Sequence, residues 1–332
     1  MRVLTYAEAI REAFAQLLQS DPRFFVIGQG LWSPWYVGNS MRDIDNEFGR
    51  DRILDCPVSE NATTGLAIGA ALAGMRPVVV HPRFDFFLLA FDQVINQASN
   101  WSYVFGGQLG VPVVFRPIIN RGGEQGAQHS QALQAMLAHV PGLKVVMPAT
   151  ARDAKGLLIA AVNDGNPVVY VDDRWLYEEQ DAVPEGMFET PIGTAEVRRS
   201  GADATVVASS YLVPHAMRAA EEAALSGVQA EVVDLRTLRP LDTATIAASL
   251  RRTGRLVVAD GGWKTFGVSA EIAALAAEQP LGTLRAPVVR VALPDAPAPT
   301  SPALERAYYP GKEQILRAIL EVTGRSSAPT LR

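Results

Sequence analysis

The feature that most constrains the fold is a regular alternation of short apolar runs with helical periods. Tyr6 to Gln19 carries apolar residues at helical spacing, and Phe24 to Ile27 is a short apolar run typical of a buried strand. The same alternation continues to residue 171 and starts again at residue 204. Strands that alternate with helices in this way predict mostly parallel sheets with helices on both faces. We therefore predict an α/β protein built from two mostly parallel-sheet, three-layer αβα domains.

The length of the chain supports two domains. A chain of 332 residues with 48% hydrophobic content can form two cores, because a single core stops growing at about 250 to 300 residues. Residues 174–200 lack a clear period and carry acids and prolines, which is typical of a connection between domains. The predicted organisation is a first domain at 1–175, a linker at 176–200, a second domain at 201–324 and a disordered tail at 325–332.

Composition excludes several classes of protein. The formal net charge of −5 and the pI near 5.5 provide no basic stripe, so no nucleic-acid partner is predicted. The longest apolar runs are too short to cross a membrane, and the first residues show no secretory signal. Cys56 is the single cysteine, which excludes an internal disulfide and a multi-cysteine metal site. A cytoplasmic, reducing location is expected.

The stretch from Asp55 to Gly74, DCPVSENATTGLAIGAALAG, places one carboxylate, Glu60, at the start of an apolar helix. The residues after Glu60 leave almost no polar face, which is typical of a helix inside a large protein. Cys56 to Ser59 indicate a strand end, a turn and an N-cap, so Glu60 is expected at the usual ligand edge of an open α/β sheet. A carboxyl group that is poorly solvated shares a proton readily with a basic nitrogen of a ligand. The simpler and more frequent interpretation is that Glu60 only favours the positive end of the helix.

An aromatic cluster follows a later strand and leads into a helix predicted at 88–101. Such a cluster is typical of a core, and the alternative is a flat wall for a heteroaromatic ring. Its members are Phe84, Phe86, Phe87 and Phe91.

A glycine-rich loop from Arg121 to Gln131 follows the next strand and places His129 just ahead of a helix predicted to begin near Ala132. Glycines permit tight turns and the close approach of a ligand, so this loop is well placed for chemistry. The alternative is that His129 is an ordinary polar residue ahead of a helix.

Several long motifs in order resemble one family, the β subunit of the thiamine-diphosphate-dependent decarboxylating component of 2-oxo acid dehydrogenase complexes, within the transketolase group. The resemblance covers roughly residues 4–324, and it is far more specific than a single short glycine motif. The motifs are PVSENATTGLAIGAALAGMRPVV, AFDQVINQASNW, GAQHSQ, HVPGLKVVMPATARDAKGLL, GNPVV and VDLRTLRPLD.

The resemblance implies a thiamine diphosphate cofactor whose aminopyrimidine ring is bound by the first domain. A glutamate at the position of Glu60 then hydrogen-bonds ring nitrogen N1′, a role that suits a poorly solvated carboxyl group. Phe84 matches the family's ring-stacking aromatic, and Phe87 is expected to help line the same pocket. His129 matches the active-site histidine that contacts the substrate or the acyl intermediate.

The resemblance also implies metal ions and partners. A monovalent-cation loop of the family, for K⁺, falls on Ala161, Asp164 and Asn166, with a backbone oxygen near Val113. The family's Mg²⁺ and diphosphate are held by a GDG motif followed by paired Asn, and this sequence has no such signature. An α subunit is therefore expected to supply the Mg²⁺ ligands in an α₂β₂ heterotetramer, with a lipoyl acyltransferase as a further partner.

Three departures from the family's pattern leave the substrate and the acyl acceptor open. Gln29 stands where most members carry an acid, beside the aromatics Trp32, Trp35 and Tyr36. Phe266 stands where a histidine is usual, and the GGEQG segment before His129 is closer to the transketolases.

Three functions therefore compete. The first is a 2-oxo acid dehydrogenase β subunit that transfers an acyl group to a lipoyl arm. The second is the C-terminal half of a split transketolase-like enzyme that passes an activated aldehyde to a sugar or biosynthetic acceptor. The third, a scaffold without catalytic activity, is disfavoured because Glu60, Phe84 and His129 are all present. A nicotinamide dehydrogenase is excluded, since Gly106, Gly107 and Gly110 precede a strand instead of following one.

Overall fold

The computed structural model describes residues 2–33 and 35–325. The chain forms two compact units, of which the first contains the residues up to Arg121, Ala127–Ile192 and Leu238–Pro240. The second contains Gly122–Gly126, Gly193–Thr237 and the described residues from Leu241 onward. Within the described ranges, no helix is long and apolar enough to cross a membrane. The predicted disordered tail at 325–332 lies, apart from Arg325, outside those ranges.

The strands are short and most of them are buried. Numbered in chain order, they are β1 (Arg2–Thr5), β2 (Phe24–Gly28), β3 (Ile53–Asp55), β4 (Arg76–His81), β5 (Val114–Ile119), β6 (Lys144–Val146), β7 (Val168–Tyr170), β8 (Asp172–Asp173), β9 (Gln180–Val183), β10 (Glu196–Arg199), β11 (Ala204–Ala208), β12 (Ala230–Asp234), β13 (Thr237–Arg239), β14 (Leu256–Trp263) and β15 (Val289–Leu293).

The helices connect these strands. They are α1 (Tyr6–Ser20), α2 (Ile44–Phe48), α3 (Glu60–Leu72), α4 (Phe84–Phe87), α5 (Ser99–Val104), α6 (Gln134–Ala138), α7 (Ala151–Asn163), α8 (Leu212–Leu225), α9 (Thr243–Thr253), α10 (Val268–Ala277), α11 (Pro302–Tyr308) and α12 (Lys312–Val322). Short 3₁₀ turns occur at Gly38–Met41, Leu88–Ala90 and Arg174–Leu176, and a π-helical segment occurs at Asp92–Ala98.

The main sheet of the first unit has the strand order β13-β6-β7-β5-β4-β2-β3, with β8 paired to β5. The pairings β2–β3, β2–β4, β4–β5, β5–β7, β5–β8 and β6–β7 are all parallel. Strands that are covered on both faces form nearly continuous apolar runs, and all five residues of β2 are buried. A separate antiparallel pair joins β1 to β9.

The sheet of the second unit has the strand order β10-β12-β11-β14-β15. Its central pairings are parallel, and only the edge strand β10 is antiparallel to its neighbour. The predicted α/β class with two mostly parallel sheets is therefore confirmed.

The structure differs from the sequence-based expectations in local detail. The helix predicted at 88–101 is part of a longer helical stretch that begins at Phe84 and contains the π-helical segment. The strand predicted at 111–115 runs instead from Val114 to Ile119. Residues 176–200, predicted as an irregular linker, contain β9 and β10. These two strands are only four residues long and most of their positions are exposed or half-buried, so their alternation is too brief to detect in the sequence.

Candidate functional site

The carboxyl ends of β4, β2 and β3 lie side by side at one edge of the first sheet. Gly28, the last residue of β2, is paired with Asp55 of β3 and with Val80 of β4. A Cβ atom on Gly28 would lie 2.4 Å from the carbonyl oxygen of Val80, so only glycine fits there. Because ligands of open α/β sheets bind outside the carboxyl ends of strands, the residues that follow these strands form the candidate site.

Glu60 is the first residue of α3, as the sequence predicts, and its side chain is 4% exposed. Its Oε1 atom accepts a hydrogen bond of 3.0 Å from Nε2 of Gln29. Among the described residues, no group donates a hydrogen bond to Oε2. Ser59 occupies the predicted N-cap position, but its hydroxyl makes no capping bond. The site therefore contains a buried carboxylate with one oxygen bound and the other available.

The prediction that α3 is buried on all sides is wrong for this chain. Thr64, Ala67 and Ile68 face the core, but Leu66 is 56% exposed, and Asn61, Ala62 and Gly69 are exposed as well. The exposed side of α3 carries apolar residues, and a helix that is apolar all round is usually buried. For this reason the sequence predicted a fully buried helix.

A chain of contacts links α3 to α4. Thr64 lies one turn after Glu60, and its Oγ1 atom is 3.3 Å from Nε2 of His81. The ring centroid of His81 lies 4.6 Å from that of Phe87. Burial lowers the pKa of His81 from its ordinary value of 6.5 to about 3, so this histidine is neutral near pH 7.

The structure does not support Phe84 or Phe87 as ligand contacts. Both rings are completely buried and their centroids lie 6.0 Å apart. Phe86 is instead 38% exposed. The spacing of Phe84, Phe87 and Phe91 is i, i+3, i+7, which indicates one buried face of a helix and leaves Phe86 off that face. The sequence itself therefore contains a signal that separates Phe86 from the buried rings.

His129 lies next to Phe86. The two rings meet edge to face at right angles, with centroids 5.3 Å apart. The loop of His129 is fastened to α4, because Oδ1 of Asp85 accepts hydrogen bonds from the backbone N–H of Gln131 at 3.1 Å and from its side-chain amide at 2.9 Å. The predicted helix after this loop begins at Gln134 and not at Ala132.

The glycine-rich loop has the backbone conformation that its composition predicts. Gly122, Gly123 and Gly126 have φ angles of 65°, 64° and 70°, a region that residues with a Cβ atom rarely adopt. Glu124 adopts the same conformation, with a φ angle of 63°. The tight turn therefore depends on these glycines.

The predicted cation loop has its acidic side chain already paired. Asp164 forms an ion pair with Lys144, and its Oδ1 atom accepts the backbone N–H of Asn166 at 2.9 Å. The carbonyl oxygen of Ala161 accepts the N–H of Asp164 at 3.3 Å, and that of Val113 accepts the N–H of Val168 at 3.0 Å. A cation held by the Asp164 carboxylate does not fit, although each carbonyl oxygen has a second lone pair. Within residues 2–33 and 35–325, no cluster of three or more His, Cys, Asp or Glu side chains could hold a metal ion.

The aromatic residues at the departures from the family's pattern differ in their exposure. Trp32 donates its indole N–H to the carbonyl oxygen of Ile53, and the Arg50 guanidinium lies 4.2 Å from the centre of its ring. Trp35 is 71% exposed. Phe266 belongs to the second unit, is 92% exposed and has a φ angle of 54°.

Comparison with known proteins identifies both halves of the chain. Residues 2–180 match the transketolase pyrimidine-binding domain, and residues 193–315 match the transketolase C-terminal domain. The chain is 40% identical over 327 residues to the mitochondrial pyruvate dehydrogenase E1 component subunit beta-1 of Arabidopsis thaliana, covering 97% of this chain and 90% of that protein. It is also 40% identical over 331 residues to the acetoin:2,6-dichlorophenolindophenol oxidoreductase subunit beta of Cupriavidus necator, covering 96% of each.

A solved structure described as a split-gene transketolase, an inactive β4 tetramer, has the same fold. The TM-score is 0.78 at 23% identity, over 98% of this chain and 99% of that one. The family that contains the matched E1 β subunits depends on thiamine diphosphate, and its members work with α subunits. The sequence motifs, the two transketolase domains and the full-length relatives agree, and the chain belongs to the E1 β-subunit family of thiamine-diphosphate-dependent 2-oxo acid dehydrogenases.

Proposed function

We propose that this chain is the catalytic β subunit of a 2-oxo acid dehydrogenase, which activates thiamine diphosphate for decarboxylation of a 2-oxo acid and acyl transfer to a lipoyl acceptor. The observation that carries the proposal is Glu60, a carboxylate 4% exposed at the start of α3 with one oxygen bound to Gln29. A scaffold without catalytic activity would have no need of a buried, half-satisfied carboxylate, because burial of a charged group is unfavourable.

The residues of the first unit fit an aminopyrimidine ring. When bound, thiamine diphosphate supplies the nucleophilic carbon that adds to the carbonyl group of a 2-oxo acid. Oε2 of Glu60 would hold a proton shared with ring nitrogen N1′, and the exposed part of Phe86 would pack against the ring. His129, which contacts Phe86 at its edge, would reach the substrate. We propose residues up to about 175 as the pyrimidine-binding domain and 201–324 as the C-terminal domain.

The diphosphate and Mg²⁺ are assigned to an α subunit in an α₂β₂ heterotetramer. The support is the sequence, which lacks the GDG signature. A lipoyl acyltransferase is the proposed acceptor.

We also propose that K⁺, where it binds, is held by backbone carbonyl oxygens of Ala161, Asp164 and Asn166 and not by the Asp164 carboxylate, which pairs with Lys144. The single cysteine supports a reducing, cytosolic compartment.

Substitution of Glu60 tests the proposal. In the enzyme reconstituted with its α subunit, Glu60→Gln keeps the shape of the side chain but cannot exchange a proton, so turnover should fall by about 10² to 10⁴. Circular dichroism and size-exclusion chromatography should show an unchanged fold and assembly. Retention of more than about half of the wild-type rate would show that Glu60 only favours the end of the helix.

Acetoin is a second candidate for the substrate that supplies the acyl group. The acetoin oxidoreductase β subunit is as similar to this chain as the pyruvate dehydrogenase subunit is. Reconstituted enzyme should therefore be given pyruvate, branched 2-oxo acids and acetoin, each with free lipoyl domain. Efficient reductive acylation with a 2-oxo acid supports the first proposal, and acylation with acetoin alone supports the second. Transfer to a sugar acceptor, with none to the lipoyl domain, would favour the transketolase-like alternative.

A further inference from the structure

Gln29 is held in place from both sides. It follows Gly28, whose carbonyl oxygen accepts the N–H of Cys56 at 2.9 Å. It precedes Gly30, whose N–H donates to Oδ1 of Asp55 at 2.7 Å. The backbone of Gln29 is therefore anchored on the carboxyl end of β3 before its side chain makes any contact.

The side chain of Gln29 then reaches the buried carboxylate, and its Nε2 atom lies 3.0 Å from Oε1 of Glu60. A hydrogen bond to a charged, buried acceptor is worth more than one between neutral groups. The hydrogen bond also gives the two carboxylate oxygens of Glu60 different roles. Oε1 is bound within the chain, and Oε2 is the oxygen left for a ligand.

An amide suits a carboxyl group that changes its protonation state. A glutamine side chain carries both an N–H donor and a carbonyl acceptor. It can therefore donate to an ionised Glu60 or, after a half-turn of the amide, accept from a protonated Glu60 in the same place. A second carboxyl group at position 29 would have to share a proton with Glu60, because two like charges at this distance are not both ionised readily.

We propose that Gln29 is a positioning residue, which orients Glu60 through Oε1 and presents Oε2 to the bound ring nitrogen. This inference rests on the proposed function of Glu60 and extends it to a residue that does not touch the cofactor. It also explains why Gln29 can replace the acid that most family members carry at this position, because the amide can hold the Glu60 carboxylate by a hydrogen bond.

Three variants in the reconstituted enzyme test the inference. Gln29→Met keeps the size of the side chain and removes the donor, so hydrogen–deuterium exchange at C2 of thiamine diphosphate should slow about 10-fold, with KM for the 2-oxo acid unchanged. Gln29→Glu should keep exchange only at pH values where the new carboxyl group is protonated, because two ionised carboxylates at this distance repel each other. Gln108→Glu adds the same charge at an exposed position and should leave both properties as in the wild type.

A measurement without cofactor completes the test. Carbon-13 NMR of the full chain, labelled at glutamate carboxyl groups and assigned with Glu60→Gln, should show the Glu60 resonance displaced in Gln29→Met, because Oε1 has lost its donor. In Gln108→Glu the Glu60 resonance should stay at its wild-type position. Exchange in Gln29→Met within twofold of the wild type, or the same Glu60 resonance position in Gln29→Met and in the wild type, would overturn the inference. Loss of turnover in Glu60→Gln alongside either result would leave the proposed function standing.

Discussion

Phe84 and Phe86 are two residues apart, yet the first ring is completely buried and the second is 38% exposed. The difference follows from helical geometry, because residues two apart do not share a face. Phe84 packs on Phe87, whereas Phe86 turns toward His129. Substitution of Phe84 should therefore affect stability, and substitution of Phe86 should affect the binding of the cofactor.

Phe86→Ala should weaken the binding of thiamine diphosphate to the reconstituted enzyme with little effect on stability, because the lost ring is partly exposed. Phe84→Ala should lower the free energy of unfolding by about 3 to 5 kcal/mol, the usual effect of deleting a buried aromatic ring. Calorimetric titration with cofactor and urea unfolding of both variants measure the two effects. Normal cofactor affinity in Phe86→Ala would remove Phe86 from the site.

His129→Ala should impair the steps after cofactor activation. His129 contacts Phe86 on a loop tied to α4, whereas the carboxylate proposed for N1′ belongs to α3. We expect kcat to fall by about 10², with the rate of deuterium exchange at C2 unchanged. Exchange as slow as in Glu60→Gln would contradict this division between the two residues.

At the scale of elements, the end of β4 joins α3 and α4 through one neutral histidine. His81 is 3% exposed, lies beside Thr64 and packs on Phe87. The pKa of His81 is lowered to about 3 by burial in the folded chain and is about 6.5 in the unfolded chain. Between these values the unfolded chain binds a proton that the folded chain does not, so stability falls as pH decreases from about 6.5 toward 3.

His81→Phe should remove this dependence on pH. Between pH 7 and pH 5 the wild type should lose about 2 kcal/mol more stability than the variant does, from about 1.4 kcal/mol per pH unit below the unfolded pKa. Phenylalanine keeps an aromatic ring against Phe87, which makes it a matched replacement. Urea midpoints of both proteins at the two pH values provide the measurement. If the urea midpoints of the two proteins changed equally between pH 7 and pH 5, His81 would have to accept its proton in the folded state.

At the scale of the whole molecule, the chain contains a pyrimidine-binding domain but no diphosphate signature. We expect the isolated chain to bind thiamine diphosphate and Mg²⁺ negligibly, and to bind them once an α subunit is added. Isothermal titration calorimetry with and without the α subunit distinguishes these states. Micromolar, Mg²⁺-dependent binding by this chain alone would refute a site shared between subunits.

The sequence by itself determined the fold class, the family and the position of Glu60. Apolar periodicity is a local property, so the alternation of strands and helices can be read without a structure, and both predicted parallel sheets are present. Glu60 was located because the signals for a strand end, a turn and a helix start all lie within a few residues of it. The short strands β9 and β10 were missed because four residues carry too little periodicity.

Only the tertiary structure decided which side chains meet. The sequence could not show that Gln29 donates to Glu60, which lies 31 residues away, or that Phe86 and not Phe84 lies against His129. It also could not show that Asp164 is already paired with Lys144, or that one side of α3 is exposed. Contacts between distant residues depend on strand order and on how each helix is rotated against its sheet, and neither follows from local periodicity.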